Sequence, residues 1–141
     1  MRQQAALVAT FLGLFVLTAA AAPTAPFNAQ DSDQVFQMSQ SGGIQQVTAK
    51  DPKDKALIAA IRAYLESQAD RFGGGDYSGP LKIEGKDIPT AQYLKAIAPG
   101  QMSITYRNVG AGAAIDYMGK DAATVAAIHN WFDALLSDDD E

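Results

Sequence analysis

Apolar and polar positions alternate along much of the chain, and the period of that alternation predicts its strands and helices. The β-branched stretch 44–50 follows two glycines and precedes an Asp-Pro pair, which predicts a strand. From residue 51 onwards, apolar side chains recur at helical spacing: Leu57, Ile58, Ile61, Leu65 and Phe72. We expect Asp51 to cap this helix, Pro52 to occupy its first position and Gly73 to end it.

The stretch 102–118 alternates with a period of two and contains a glycine-bearing turn at 109–112, which predicts a β-hairpin. Three large side chains share a face of its first strand, and three apolar side chains share a face of its second. These sets are Met102, Ile104 and Tyr106, and Ala113, Ile115 and Tyr117.

Two further helices are predicted. A short one spans 87–99, and the last begins at Asp121 as its cap. The apolar stripe of the last helix consists of Val125, Ile128, Phe132 and Leu135 or Leu136. Residues 81–83 can form a very short strand, and residues 35–43 fit either a helical turn or an edge strand.

The predicted order of elements is β-α-(β)-α-β-β-α, and we identify no internal repeat. A small antiparallel-type sheet with helices packed on one face would bury all the apolar stripes at once, so we predict a single two-layer α+β domain. This domain is assigned to 42–137. It follows a flexible lead or short N-terminal element at 22–41 and precedes an acidic tail at 138–141.

Residues 1–21 have the pattern of a secretory signal peptide. Arg2 precedes an uncharged, apolar run, and the small residues Ala19 and Ala21 place the cleavage site after Ala21. A membrane anchor is the alternative, because the run approaches the roughly 20 residues that span a bilayer. We favour cleavage and an exported protein, periplasmic or extracellular, because the run is rich in alanine and its positive end is a single arginine.

Charge and cysteine content narrow the classes of function. Loss of Arg2 with the signal leaves ten basic against 16 acidic residues, a net charge of −6. Such a surface repels phosphate, so nucleic acid is not expected as a partner, and after cleavage no membrane is expected either. The absence of cysteine excludes disulfides, thiolate metal sites and a lipid-anchored lipoprotein. For an exported chain it also favours a bacterial origin.

The last predicted helix carries the only histidine and the only tryptophan of the chain. His129 and Asp133 are four positions apart, so they are neighbours on one helix face. They could form an oriented base or part of a metal site, but we favour a boundary histidine paired with an acid. Trp131 lies about 100° from Phe132 around the helix. It either marks a partner surface or seals the edge of the core.

Other features with possible chemistry are weaker. The glycine-rich loop 73–80 lacks the Gly-Lys-Ser/Thr ending of a P-loop. Asp76 would repel a phosphate, although Asp76, Tyr77 and Ser78 could line the rim of a pocket. No serine lies in a nucleophile elbow, and one histidine without cysteine does not make the usual zinc site. No cofactor is therefore expected, and metal binding is left open.

Three stretches resemble a family of small exported bacterial proteins that often carry the label aspartate carbamoyltransferase. These are "GDYSGP" at 75–80, "ITYRNVGAGAAIDY" at 104–117 and, most specifically, "AAIHNWFDALLSD" at 126–138. The resemblance covers almost the whole predicted domain. A transcarbamoylase has two domains and a Ser-Thr-Arg-Thr phosphate loop, and this chain has neither, so we interpret the label as a misannotation.

The resemblance implies that relatives contain more histidines than this chain. Their counterparts here are Tyr64, Glu84 and Asp139, while His129 is retained. Three hypotheses for the function remain. The favoured one is a non-catalytic domain that binds a small ligand or a protein partner. A metal-associated protein that uses His129 and carboxylates is the second. An enzyme, as the label would imply, is the least favoured.

Overall fold

The computed structural model describes residues 27–77, 81–83, 86–88 and 90–137. The predicted signal peptide and the acidic tail lie outside these residues. The strands are β1 (Ser32–Ser39), β2 (Gly42–Ala49), β3 (Leu81–Ile83), β4 (Lys86–Ile88), β5 (Met102–Val109) and β6 (Gly112–Gly119). The helices are α1 (Lys55–Gly73), α2 (Thr90–Leu94) and α3 (Ala122–Ser137), and a 3-10 turn spans Ala29–Asp31.

Four strands form one antiparallel sheet in the order β1-β2-β6-β5, while β3 and β4 pair separately. Helices α1 and α3 cover one face of the four-stranded sheet. Side chains at alternate positions of the two central strands, such as Gln45 and Tyr117, point into this layer and are fully buried. The predicted small α+β domain with an antiparallel sheet is therefore confirmed.

One of the alternatives for the N-terminal segment is observed, and one predicted helix is shorter than expected. Strand β1 extends the sheet into the segment assigned to a lead or short N-terminal element, and of the two alternatives for 35–43 the edge strand is observed. The helix predicted over 87–99 is reduced to the five residues of α2. It begins later because positions 86–88 pair with β3 as a strand, and it ends at Leu94 instead of continuing to position 99.

Helix α1 begins later than predicted, because Asp51 closes a separate turn. Asp51 Oδ1 accepts a hydrogen bond from Lys53 N at 2.9 Å. The cap is Asp54, whose Oδ1 accepts from Leu57 N at 3.0 Å. The predicted cap at Asp51 is therefore wrong by three positions.

The four-stranded sheet and its two long helices form two ββα units. The first unit is β1, β2 and α1, and the second is β5, β6 and α3. The strands of the second unit have the bounds of the first shifted by 70 positions. The two stretches 31–51 and 101–121 share identical residues at three pairs of positions, Gly42/Gly112, Lys50/Lys120 and Asp51/Asp121. Our expectation of no internal repeat is therefore wrong for the structure.

Equivalent backbone hydrogen bonds occur in the two units, again with a shift of 70 positions. Ala49 N donates to Ala111 O at 2.9 Å, and Gly119 N donates to Ser41 O at 2.7 Å. Each bond joins the end of one unit's second strand to the hairpin turn of the other unit. An approximate twofold axis therefore runs between β2 and β6.

Glycine is required where the central strands approach each other most closely. A Cβ atom at Gly42 would overlap the carbonyl oxygen of Tyr117, and one at Gly112 would overlap that of Val47. Tyr117 and Val47 are themselves related by the 70-residue shift. The identical glycines of the two units therefore have one common steric cause.

Each long helix packs chiefly on the hairpin of the other unit. Helix α1 lies mainly over β5 and β6 and also contacts β2, whereas α3 contacts β1, β2 and β6. The ring of Phe132 on α3, for example, contacts the ring of Phe36 on β1 at a centroid distance of 5.4 Å. Neither unit therefore contains a complete core of its own.

Among the described residues, no helix covers the sheet face opposite α1 and α3. Val35 and Met118 lie on it, and each is 48% exposed. Arg107 and Asp116 form an ion pair on the same face, with Nε and Oδ2 2.8 Å apart. None of the helices among the described residues has the length and the apolar character needed to cross a bilayer.

Candidate functional site

His129 contacts the tip of the first hairpin. Its Nε2 lies 2.7 Å from the carbonyl oxygen of Ser39, and because a carbonyl only accepts, Nε2 carries the donated proton. Asp133 is exposed, and within the part of the chain that the structure describes no hydrogen bond or ion pair joins it to His129. The predicted pairing of the two side chains is therefore not observed.

The position of His129 is explained by the repeated unit. Asp121 caps α3 as Asp54 caps α1, each through a hydrogen bond from the backbone three positions later. Counted from these caps, His129 corresponds to Arg62. The two side chains contact equivalent hairpins, since Ser39 at the tip of the first corresponds to Val109 in the second.

Arg62 holds the second hairpin through three carbonyl oxygens. Its Nε donates to Gly112 O at 2.9 Å. Its Nη2 donates to Val109 O at 3.1 Å and to Gly110 O at 3.0 Å. Arg62 and His129 therefore act as anchors that tie each helix to the hairpin tip beneath it, and the position of His129 does not require a catalytic explanation.

A metal site gains no support from the acidic and histidine residues that the structure describes. Among them, no group of three or more such side chains could hold a metal ion. His129 already uses Nε2 for the Ser39 carbonyl, and Asp133 is exposed on the outer side of α3. The candidate ligands are therefore not brought together around a common point.

Trp131 is fully buried, so of its two predicted roles only the one in the core fits the structure. Its ring centroid lies 5.0 Å from that of Tyr117 and 6.1 Å from that of Phe72, both in edge-to-face contacts. Trp131 and Phe132 are both buried because α3 is enclosed by the sheet on one side and by α2 on another. Trp131 therefore connects the sheet to the end of α1.

A polar network that the sequence did not indicate crosses this core. The Tyr117 hydroxyl donates to Gln45 Oε1 at 2.8 Å and accepts from Gln68 Nε2 at 2.9 Å. Gln68 Nε2 also donates to Gln45 Oε1 at 2.7 Å. All three residues are fully buried, and burial raises the pKa of Tyr117 far above its usual value. The hydroxyl is therefore neutral at physiological pH, and the network joins β2, β6 and α1.

A groove opens beside the end of α1, and among the described residues it is our candidate for a functional site. It has a volume of about 330 Å³, at the lower end of the roughly 300–1,000 Å³ found for ligand pockets. Two loops and one edge of the sheet form its walls. We call it the glycine-loop groove, and its lining residues are Phe72, 73–75, Tyr77, Lys95, 97–100, Met102 and Ile104.

Two glycines with left-handed backbone shape the rims of the groove. Gly75 has a φ of +85° and Gly100 a φ of +83°. A side chain at either position would meet no neighbouring atom within 4 Å, so conformation and not space requires glycine there. The two turns keep the loops short and leave the wall residues uncovered.

Apolar side chains make up about half of the accessible surface of the groove, and polar atoms make up the rest. Phe72 is buried, while Tyr77, Ile97, Met102 and Ile104 are only partly buried although they pack against the core. The ring of Tyr77 lies edge-on to that of Phe72 at 5.4 Å. The groove therefore offers apolar surface to a ligand.

The sequence indicated only part of this site. Tyr77 lines the groove as expected, whereas Asp76 is exposed and does not line it, and Ser78 lies outside the described residues. Lys95 and the loop that follows it were not considered, because an exposed lysine after a short helix has no distinguishing pattern. Met102 and Ile104 were expected to share a face, which they do, but the alternation of a strand does not indicate that they stay partly exposed.

Comparison with known proteins finds no matching family model, no similar curated protein and no similar solved structure. The resemblance to the family labelled aspartate carbamoyltransferase therefore stays a prediction, and the function has to be argued from the groove itself.

Proposed function

We propose that this protein is an exported, non-catalytic domain that binds a small apolar ligand in the glycine-loop groove. The observation that carries the proposal is the set of half-buried apolar side chains that line a groove of about 330 Å³. Apolar surface that stays accessible in a concave site is where small ligands bind most often. Among the described residues, those that line the groove include no histidine, serine or acid that could supply a base or a nucleophile.

Comparison of the two ββα units supports this location. Ile104 and Met102 form the sheet wall of the groove, and their counterparts in the first unit are Gln34 and Ser32. The polar residue at position 34 bonds to a neighbour instead of lining a groove, since Gln34 Oε1 accepts from Gln45 Nε2 at 3.2 Å. The apolar wall is therefore a feature of one unit and is not imposed by the fold.

A titration with 1-hexanol, followed by nitrogen–proton NMR of the mature chain, tests the proposal. We expect the amide signals of Gly74, Gly75 and Gly100 to shift with saturation, and the Gly110 amide on the distant hairpin tip to stay in place. Ile104→Gln, which introduces the residue of the equivalent position in the first unit, should weaken these shifts at least several-fold. Unchanged groove signals would contradict the proposal.

A protein partner is the alternative, and the sheet face opposite α1 and α3 favours it. Val35 and Met118 are the exposed large hydrophobic residues on that face. A dilution series without any probe distinguishes the two functions in the same spectra. Concentration-dependent shifts at Val35 and Met118, with none in the groove on addition of 1-hexanol, would replace the small-ligand proposal by self-association through this face.

A further inference from the structure

We propose that the ligand of the glycine-loop groove is a small amphipathic anion, with an aliphatic or aromatic body and one carboxylate or similar acidic group. The inference rests on the proposed function, because it names the class of ligand for the same groove. Three features of the groove carry it, namely its charge, the way the end of α1 is capped, and the chemistry of Tyr77.

The charge of the groove opposes that of the whole molecule. Of the described residues that line it, Lys95 alone carries a charge, and it is exposed at the rim. The full chain has a net charge of −5. A second cation adjoins the wall, since the guanidinium carbon of Arg71 lies 5.6 Å from the centroid of the Phe72 ring. The groove is therefore a local cationic and partly apolar site on an acidic protein, which favours an anionic head group.

The end of α1 does not reverse this preference. Free carbonyl oxygens at a helix C-terminus attract cations. Here the loop itself uses them, because Gly74 N donates to Asp70 O, Gly75 N to Phe72 O and Asp76 N to Arg71 O. The carbonyls of Asp70, Arg71 and Phe72 are therefore already paired. Asp76 is the acid nearest to the groove along this loop, and it lies outside the lining.

Tyr77 suits an anion as well. Burial raises the pKa of Tyr77 above its ordinary value, so its hydroxyl keeps its proton at physiological pH. A neutral phenol donates hydrogen bonds to carboxylates, while a tyrosinate would repel them. The apolar side chains of the walls then take the rest of the ligand, and Lys95 and Tyr77 bracket its acidic group.

The single tryptophan provides the readout for a test. Trp131 contacts Phe72 edge-on, and Phe72 forms the wall of the groove. A ligand that presses on Phe72 therefore changes the surroundings of Trp131 without touching it. The probes are octanoate, octanamide and octylamine, which share one apolar body and differ in charge, each titrated into the mature chain by tryptophan fluorescence and by calorimetry.

We expect octanoate to bind more tightly than octanamide, and octanamide more tightly than octylamine. Lys95→Met should lower the affinity for octanoate roughly fivefold, as for a partly exposed ion pair, and leave that for octanamide unchanged. Lys50→Met, at an exposed lysine of the first unit, is the matched control and should change neither affinity. Added salt should weaken octanoate binding in the wild-type protein and in Lys50→Met, and should have little effect in Lys95→Met.

The outcomes separate the ligand class from the function. Equal affinity for octanoate and octanamide, or no effect of Lys95→Met, would overturn the anionic preference while leaving a groove that binds apolar ligands. Absence of binding by all three probes, or binding that Ile104→Gln does not weaken, would overturn the proposed function together with it. Circular dichroism of each variant confirms that the fold is retained, and Lys95 is exposed, so its replacement leaves the core intact.

Discussion

At the scale of single residues, Tyr117 shows how one hydroxyl links folding to pH. In the folded protein its hydroxyl is fully buried and paired with Gln45 and Gln68, and its pKa is raised by burial. In the unfolded chain the pKa is about 10. Above that pH the unfolded chain has lost a proton that the folded protein keeps, so the free energy of unfolding falls as pH rises.

We therefore expect stability to decline above about pH 10 and Tyr117→Phe to reduce the slope of that decline by up to ~1.4 kcal/mol per pH unit. Near neutral pH the same substitution should cost about 1 kcal/mol for the lost hydrogen bonds. Urea unfolding of both proteins at several pH values measures these quantities. Identical slopes would mean that Tyr64, Tyr77 and Tyr106, whose pKa values are also raised by burial, account for the whole effect.

For single residues, the sequence predicts whether a side chain is buried better than it predicts which residues that side chain contacts. Phe132, Ile128 and Leu65 are buried as their spacing predicts. The partners of His129 were missed because Ser39 is 90 positions away in sequence, and helical geometry alone suggests only the neighbour at Asp133. Gln68 was missed for a similar reason, since a buried glutamine needs partners on two other elements.

At the scale of elements, the anchors Arg62 and His129 predict where the hairpins loosen. Arg62→Ala should raise amide hydrogen exchange at the tip of the β5–β6 hairpin and lower stability by roughly 1.5–3 kcal/mol, because a charged donor is lost. His129→Ala should do the same at the tip of the β1–β2 hairpin, at a cost of about 1 kcal/mol. Exchange measured by mass spectrometry resolves the two tips.

Asp133→Ala is the matched control for His129, since it lies one turn away on the same helix. It should leave exchange at both tips unchanged and alter stability by no more than ~0.5 kcal/mol. A loss as large as that of His129→Ala would restore the pairing of His129 with Asp133.

The main elements and the α+β fold class were predictable from the sequence, whereas the strand order, the repeated unit and the groove were not. Hydrophobic period identified β2, the β5–β6 hairpin, α1 and α3. The repeat is hard to detect in the sequence because 31–51 and 101–121 share only three identical residues. In addition, α1 starts three positions later than α3 relative to the strands of its unit. The groove escaped notice because its two loops, 73–77 and 95–101, are distant in sequence and meet only through packing.

At the scale of the whole molecule, export is a prediction from the pattern of the first 21 residues. We expect the protein recovered from outside the cytoplasm to have the intact mass of residues 22–141. Mutation of Ala19 and Ala21 to bulky residues should block processing, because a signal peptidase needs small side chains there. Mass spectrometry of the exported protein measures both. A full-length mass in the membrane fraction would favour the anchor instead.

The crossed packing of the helices has a consequence for how such a chain is made. The first hairpin packs against α3, the last helix of the described residues, and α1 packs mainly against the second hairpin. Both packing partners are therefore synthesised late. A unit of this size without its own core does not stay folded alone. We therefore expect the chain to stay unfolded until α3 has been synthesised. An unfolded chain can pass through a narrow secretion channel, which is compatible with the predicted export.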